Sequence, residues 1–332
     1  MKNKGVKIAL IIILSLIIIA LINFMIFAII NKDFKVRFSL IGFGNNTEKI
    51  FEKEYDLEQL DTINVNVSSA NVKIEKADVE KLKVTAYGDK DDIIKDTITD
   101  KELFISKGNS KIFIFTMFYW CDEEIIIQIP NDCDKNFEIQ TSSGDITAPN
   151  LENNIINFMS SSGKIECGNI NVGNIKTSSG DVVIGNGNEV TLQTSAGNIK
   201  AGNFTKLSAE AVSGDVEVEN IQDCTIKTSS GKIVAGTANK IQAEATSGDI
   251  RINKIEEYCN LSSNSGNIDI ETLNIIENSF INAKSGNVKI KSKNDIYVET
   301  DTKSGDADIK NNNRKAELVL KITTTSGNIK VE

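Results

Sequence analysis

The sequence predicts an all-β chain: a parallel β-solenoid of about 17–20 residues per coil, preceded by one N-terminal transmembrane helix. Three observations predict it. A Ser-Gly corner returns at a nearly constant interval, an apolar beat alternates on both sides of that corner, and one uncharged apolar stretch lies close to the amino terminus.

Aligned on the corner glycine, the chain contains Gly144, Gly163, Gly180, Gly197, Gly214, Gly231, Gly248, Gly266, Gly286, Gly305 and Gly327, at intervals of 19, 17, 17, 17, 17, 17, 18, 20, 19 and 22. Such a period marks a stack in which no repeat buries its own apolar face and each must lie on its neighbours. Two residues after each glycine stands Ile, Val or Ala, from Ile146 to Ile329. Five before it the beat continues with residues such as Ile139, Leu192 and Ile281, and three before it stands a small Thr, Ser or Ala. Each coil is thus a short strand, a Ser-Gly corner, a second short strand and a looser turn carrying inward residues such as Ile221 and Cys224. Glycine suits the corner because it reaches positive φ without steric cost and leaves room for the corner stacked on it. At about 4.8 Å per coil the eleven corners make a rod roughly 50 Å long.

Residues 8–31 contain no charge and lie between Lys7 and Lys32. That length spans a bilayer and exceeds the apolar core of a cleavable signal, so the stretch is expected to be an uncleaved signal anchor. Residues 1–37 hold six basic residues and one acidic, a net of +5, which leaves −14 for the rest of a chain whose total is −9. A short basic tail, residues 1–7, ahead of a long domain is expected to stay cytoplasmic, which puts the C-terminal domain outside the cell membrane in a single pass. An acidic domain with no basic stripe does not favour nucleic acid.

Residues 32–60 are expected to form a tether, and residues 61–135 an irregular β lead or N-terminal cap before the regular solenoid of 136–332. Eleven of the fourteen Phe and the only Trp precede residue 140. SSANVKI at 68–74 repeats the corner with Ala70 in the glycine place, so the lead reads as an irregular start of the same solenoid whose bulky side chains close the open end.

An apolar span, a strand-rich lead, the phrase EIIIQIPNDCDKNFEIQTSSGDI around Pro130 and the tandem SSGD and SGN corners resemble the bacterial candidate-adhesin family, a set of membrane-anchored β-solenoid proteins of unknown function. The resemblance covers residues 60–332. It implies an envelope location and, for some relatives, a link to envelope-stress regulation; it implies no catalytic residues.

The residue after each corner, including Asp145, Asp181, Asn198, Asp215 and Asp249, forms an Asp/Asn column interrupted by Lys164 and Lys232. Two readings stand: oxygen ligands for Ca²⁺, or side chains that bond local backbone while Asn and Lys keep like charges apart. The interleaving and the absence of a GGxGxDxUx repeat favour the second. The serine before the glycine, as at Ser143, Ser179 and Ser230, recurs ten times with Ala196 the exception; with no His in the chain a Ser-His-acid triad is excluded, and a hydrogen-bonded serine ladder is the better reading. Cys167 and Cys224 occupy inward positions, Cys259 completes no metal spacing, and a Cys121–Cys133 bridge is disfavoured by the strand between them. KIFIFTMFYW, apolar on both faces, is expected to be buried in the cap, and GNGN at 185–188 is only a turn.

These readings predict no catalytic, cofactor-binding or metal residues, leaving the glycines as a structural corner column. The expected function is a non-enzymatic, adhesin-like interaction or envelope-stress sensory scaffold, with a glycan-acting β-helix enzyme or a passive spacer as alternatives. Expected partners are the membrane through residues 8–31 and an envelope protein or glycan. Because the last coil stops at SGNIKVE, it is expected to present a free edge for self-association unless residues 310–322, which lengthen the final interval, fold over it.

Overall fold

The computed structural model describes residues 35–39, 42–43, 47–108, 112–116, 119–120, 123–293, 295–310 and 312–332; the expected tail and span, residues 1–31, lie outside them. Among the described residues no helix is long and apolar enough to cross a membrane. The architecture is an all-β parallel solenoid of about eleven turns.

Each coil contributes two strands to two parallel ladders. Phe204–Ala211 lies between Gly187–Thr194 and the second part of Val216–Thr228, while Ile199–Ala201 lies between Val182–Ile184 and the first part of that same strand. In the regular coils the pairing joins residues 17 apart, as in Ile199 with Val216 and Ala209 with Ile226. That register equals the repeat length, so an inward residue always stacks on an inward residue. A one-residue slip would turn the whole apolar set to solvent. The inward columns merge into one core that runs from Tyr55 to Val331, and each large aliphatic side chain buried there stabilises the stack by about 1.5–3 kcal/mol.

The corner glycines are required for space more than for conformation. Among them only Gly305 and Gly327 have positive φ, at 137° and 154°. A Cβ on Gly163, Gly180, Gly197 or Gly231 would stand 1.9 Å from the carbonyl oxygen of the glycine one coil before it. Ala70 occupies the same column without conflict because the first corner has none beneath it; a small cavity bounded by Val67, Ala86, Lys107 and Ile125 lies there instead.

The expected serine ladder runs through the backbone: the Ser162 N–H donates to the Ser142 carbonyl and the Ser179 N–H to the Ser161 carbonyl, each at 3.0 Å, and the Ser247 N–H to the Ser229 carbonyl at 2.8 Å. Ser142 and Ser143 are exposed, as are the equivalent pairs in other coils. The side-chain tie at the corner comes from the buried hydroxyl three residues before the glycine. Thr177 Oγ1 donates to the Gly163 carbonyl at 3.2 Å and accepts from the Gly180 N–H at 3.1 Å, and Ser160, Thr194 and Thr228 repeat the arrangement. Both buried backbone groups thereby gain a partner, which an unsatisfied site could not do without.

At the proximal end the lead is an irregular start of the stack. Thr62–Val67 and Asn71–Lys76 form the first coil, beneath which Glu102–Gly108 and Glu124–Ile129 add parallel pairings. Leu82–Gly88 then runs antiparallel to Glu124–Ile129 and to Glu48–Tyr55. The tether expected over 32–60 is therefore shorter: Glu48–Tyr55 is a paired strand, and Leu57–Gln59 is a 3-10 turn capped by the Asp56 side chain. Ile112–Thr116 and Tyr119–Trp120 pair in parallel with Lys35–Ser39 and Gly42–Phe43.

At the distal end the coil order departs from the chain order. Val319–Ser326 pairs with Ser279–Ser285 on one side and with Tyr297–Ser304 on the other, and Ile329–Val331 likewise lies between Val288–Ser292 and Ala307–Ile309. The last coil of the chain is thus the penultimate layer of the stack. The corners agree, since a Cβ on Gly327 would strike Gly286 O at 2.1 Å and one on Gly305 would strike Gly327 O at 2.3 Å. This overturns the expectation that SGNIKVE forms the free edge: Ile329 and Val331 are each 1% exposed. The outermost layer is instead the Gly305 coil, which keeps Ile296 and Val298 buried but sets Thr300 and Ala307 opposite Ile322 and Ile329 of the layer beneath. A terminal repeat with a polar outer face is what an open-ended stack needs. The return segment after residue 309 also protects this edge, because the Asn312 amide accepts from the Val298 N–H at 2.9 Å and donates to its carbonyl at 3.1 Å.

Two outcomes test this architecture. Gly214→Ala, whose Cβ would meet Gly197 O at 1.7 Å, is expected to destabilise the chain by about 1–3 kcal/mol or more, read as a lowered thermal midpoint. In hydrogen exchange, the amides of Ile329–Val331 should be protected more strongly than those of Ala307–Ile309; the opposite ranking would restore the sequential coil order.

Candidate functional site

The Asp/Asn column after the corners is a capping ladder. Asp145 Oδ1 accepts the backbone N–H of Lys164 at 2.7 Å, Asp181 that of Asn198 at 2.8 Å, and Asn198 that of Asp215 at 2.9 Å. The ladder climbs through Asn287 to Asn328 and then to Asp306, following the inverted coil order. These oxygens are engaged by the coil above, the local backbone role weighed against Ca²⁺ in the sequence. Among the described residues no group of three or more His, Cys, Asp or Glu is placed to hold a metal ion.

The charged cluster with the most burial lies at the proximal cap. Lys107 Nζ stands 3.0 Å from Asp92 and 2.6 Å from Glu123, and Ser69 Oγ donates to Glu123 at 2.7 Å. Burial pulls the Lys107 pKa down, but the hydrogen bonds to Glu123 and Asp92 outweigh it and the net shift is upward. The cluster joins the first corner to three strands of the cap and keeps the lysine charged. Elsewhere carboxylates move the other way. Glu52 is held at about 2, first by the hydrogen bond from Lys49 and then by that from Lys83. Lysines beside Asp96, Asp134, Glu271 and Glu332 also lower those groups. This is the electrostatics of exposed ion pairs, whereas a general acid at neutral pH needs its carboxyl raised.

Cys133, Cys167, Cys224 and Cys259 are free and buried, while Cys121 lies outside the described residues. Burial pushes the Cys167, Cys224 and Cys259 thiols up to about 12. Inward Cys167 and Cys224 are small core residues, as their place in the repeat predicted, and Cys259 joins them.

The sequence reading passed over a face that the coils assemble at their looser turns. Six residues after the corner stand Asn150, Asn169, Asn186, Asn203 and Asn220, and two further on stand Asn171, Asn188 and Thr205 in three of the same coils. The columns flank the inward residues Ile170, Gly187, Phe204 and Ile221 and bound two adjoining shallow concavities of about 320 and 310 Å³, both bordered by Gly187. The signal was present once the coils were aligned on the corner, but a column six residues away shows only when the turns are superposed. GNGN at 185–188, taken as a turn, contributes Asn186, Gly187 and Asn188 to this face.

The Toastrack DUF4097 family model matches the chain over residues 60–254 and again over 187–332. Among solved structures, a candidate adhesin of Bacteroides fragilis is 18% identical, with 85% of this chain and 96% of that one covered and a TM-score of 0.34. A candidate lipid-binding protein of Parabacteroides distasonis is 17% identical, with 78% and 100% covered and a TM-score of 0.39. A candidate cell adhesion protein of Clostridium sporogenes is 10% identical, with 86% and 99% covered and a TM-score of 0.23. No curated protein matches the chain.

The buried thiols yield a test. In the folded protein at pH 8, Cys133, Cys167, Cys224 and Cys259 should resist alkylation, as followed residue by residue in a mass spectrometer, and should label only on unfolding. Because burial pushes the Cys167, Cys224 and Cys259 thiols up to about 12 from the ordinary 9, their neutral form favours the fold below pH 9 and that contribution is lost as the pH rises from 9 towards 12. Rapid labelling of Cys224 at pH 8 would contradict its place in the core.

Proposed function

The chain belongs to the toastrack family DUF4097, and from that premise we propose that it is a non-enzymatic interaction scaffold of the cell envelope, held to the membrane by residues 8–31 with its solenoid on the extracellular side. The observation that carries the reading is the stack itself. One core runs from Tyr55 to Val331 and holds every coil in register, so any surface motif of the turn is offered again one strand spacing further on. Such a surface suits an extended partner, and rigid presentation lowers the ordering cost of binding.

The electrostatics support a binding role over a glycan-acting enzyme, since each carboxylate whose titration shifts is lowered by a neighbouring lysine. Sensing of envelope stress fits the same scaffold if occupancy of its surface is transmitted through the anchor. Self-association through the final coil is the weaker route, because the outermost layer is polar and part of its edge is met by Asn312.

The test is made in intact cells. Crosslinking and pull-down of the full-length chain should recover a specific envelope partner, and removal of residues 8–31 should move the protein from the membrane to the soluble fraction. Truncation after residue 309 is the wrong control, since it extracts an interior layer; charge-reversing surface variants leave the stack whole. Recovery of no partner would favour the passive spacer, and glycan turnover by the purified chain would overturn the non-enzymatic reading.

A further inference from the structure

The asparagine-lined face has an unusual composition for this protein. A quarter of the chain is charged, yet from Asn169 to Asn239 neither wall of the groove carries a charge. The first wall is Asn169, Asn186, Asn203, Asn220 and Thr237; the second is Asn171, Asn188, Thr205, Gln222 and Asn239. Charge resumes one residue beyond the second wall, where Lys206 Nζ pairs with Glu189 at 2.9 Å. The concavity extends over five coils, about 20 Å at one strand spacing per coil, and the charges that reach it are carboxylates: Glu152 lines its proximal part and accepts from Asn169 Nδ2 at 2.9 Å, Glu219 accepts from Asn203 Nδ2 at 3.4 Å, and Glu257 accepts from Asn239 Nδ2 at 3.1 Å.

Hydrogen bonding within the first wall is directional. Asn169 Oδ1 accepts both the backbone N–H and the Nδ2 of Asn186, at 2.9 and 3.0 Å. Asn186 Oδ1 does the same for Asn203, at 2.9 and 2.7 Å. The Asn169 and Asn186 carbonyl oxygens therefore spend their acceptor capacity on the next coil, while the Asn186 and Asn203 amide nitrogens each spend one hydrogen on the preceding coil. In the second wall Thr205 Oγ1 donates to Asn188 Oδ1 at 3.1 Å, and Asn188 Nδ2 donates to Asn171 Oδ1 at 2.8 Å. Asn203 spends its second amide hydrogen on Glu219, and Asn169 and Asn239 each give one to Glu152 and Glu257; what remains along the walls is one amide hydrogen on each of Asn186, Asn188 and Asn220, with the lone pairs of Thr205 Oγ1. The floor between them is closed at Gly187 by the Phe204 ring, which lies 2.7 Å from where a Cβ on Gly187 would stand.

We propose that this groove binds an extended, uncharged glycan chain lying along the solenoid axis, with successive sugars meeting successive coils. The proposal rests on the scaffold reading and names its ligand class. Sugar hydroxyls both donate and accept, matching the amides and Thr205, and the sugar repeat of an extended glycan is close in size to the coil spacing. A nucleic acid or acidic glycan would need cations that the walls lack. A protein partner would be anchored by exposed aromatic or arginine side chains, and neither wall has one; Phe204 and Ile221, 4% and 3% exposed, are committed to the core.

The experiment is calorimetric titration of the full-length protein in detergent with three hexasaccharides: one of glucose, one of N-acetylglucosamine and one of a uronic acid. A neutral hexamer should bind in preference to the acidic one. Asn188→Asp with Thr205→Glu should weaken that binding about tenfold or more with the thermal midpoint retained. Should that pair disturb the coil, Gln222→Lys, at an outward side chain, provides a second variant with the same expected direction. No binding of either neutral hexamer at millimolar concentration, preference for the uronic acid, or affinity unchanged in a folded variant would each overturn the proposal. Capture of a protein partner in cells alongside silent titrations would overturn the glycan assignment and leave the scaffold standing.

Discussion

The rest of the structure depends on the distance between one corner and the next. At each corner the glycine backbone lies so close to the carbonyl of the corner beneath it that a single carbon has no room: the added Cβ would fall between 1.7 Å, at Gly214 and Gly248, and 2.3 Å, at Gly305. That approach sets one coil on the next in a defined register. The buried hydroxyls of Ser160, Thr177, Thr194 and Thr228 reinforce it by bridging the older glycine's carbonyl to the newer glycine's N–H. Steric exclusion and hydrogen bonding thus act at the same point, and both fail if the register slips.

Once the corners are aligned, every other column follows. Inward aliphatics stack into a single core, the Asp/Asn residues after the corners cap the next coil's N–H groups, and the asparagines of the looser turn form their own ladder. Most polar side chains in these columns answer to the coil above or below. Chemistry left for a ligand therefore has to be sought where a column has unspent hydrogen-bonding capacity, and the turn face around Gly187 is such a place.

The two ends of the stack are solved differently. The proximal end is closed by antiparallel strands and by the Lys107 cluster beside Ala70. At the distal end the chain skips a level, builds its Gly305 coil outermost and returns through residues 312–318 to fill the gap with the aliphatics Leu320, Ile322, Ile329 and Val331. Burying the more apolar coil and exposing the one with Thr300, Thr302 and Ala307 lowers the apolar area left to water.

The sequence by itself determined the all-β solenoid, its repeat length, its corner glycines and the inward columns, because a periodic backbone repeats its steric and hydrophobic demands at a constant interval. It also indicated the irregular lead through Ala70 in the glycine place. It indicated the serine ladder, which the backbone forms, but not the bridging hydroxyl three positions before the glycine, because a tight bend favours the same small residues there. The groove and the coil order were decided by tertiary structure. Asn169 and Asn188 are distant in the chain and meet only across stacked turns. Likewise, local periodicity is identical whether the Gly327 coil lies above or below the Gly305 coil. Only the competition between them for the buried layer, which Ile329 and Val331 win over Ala307 and Ile309, selects the order.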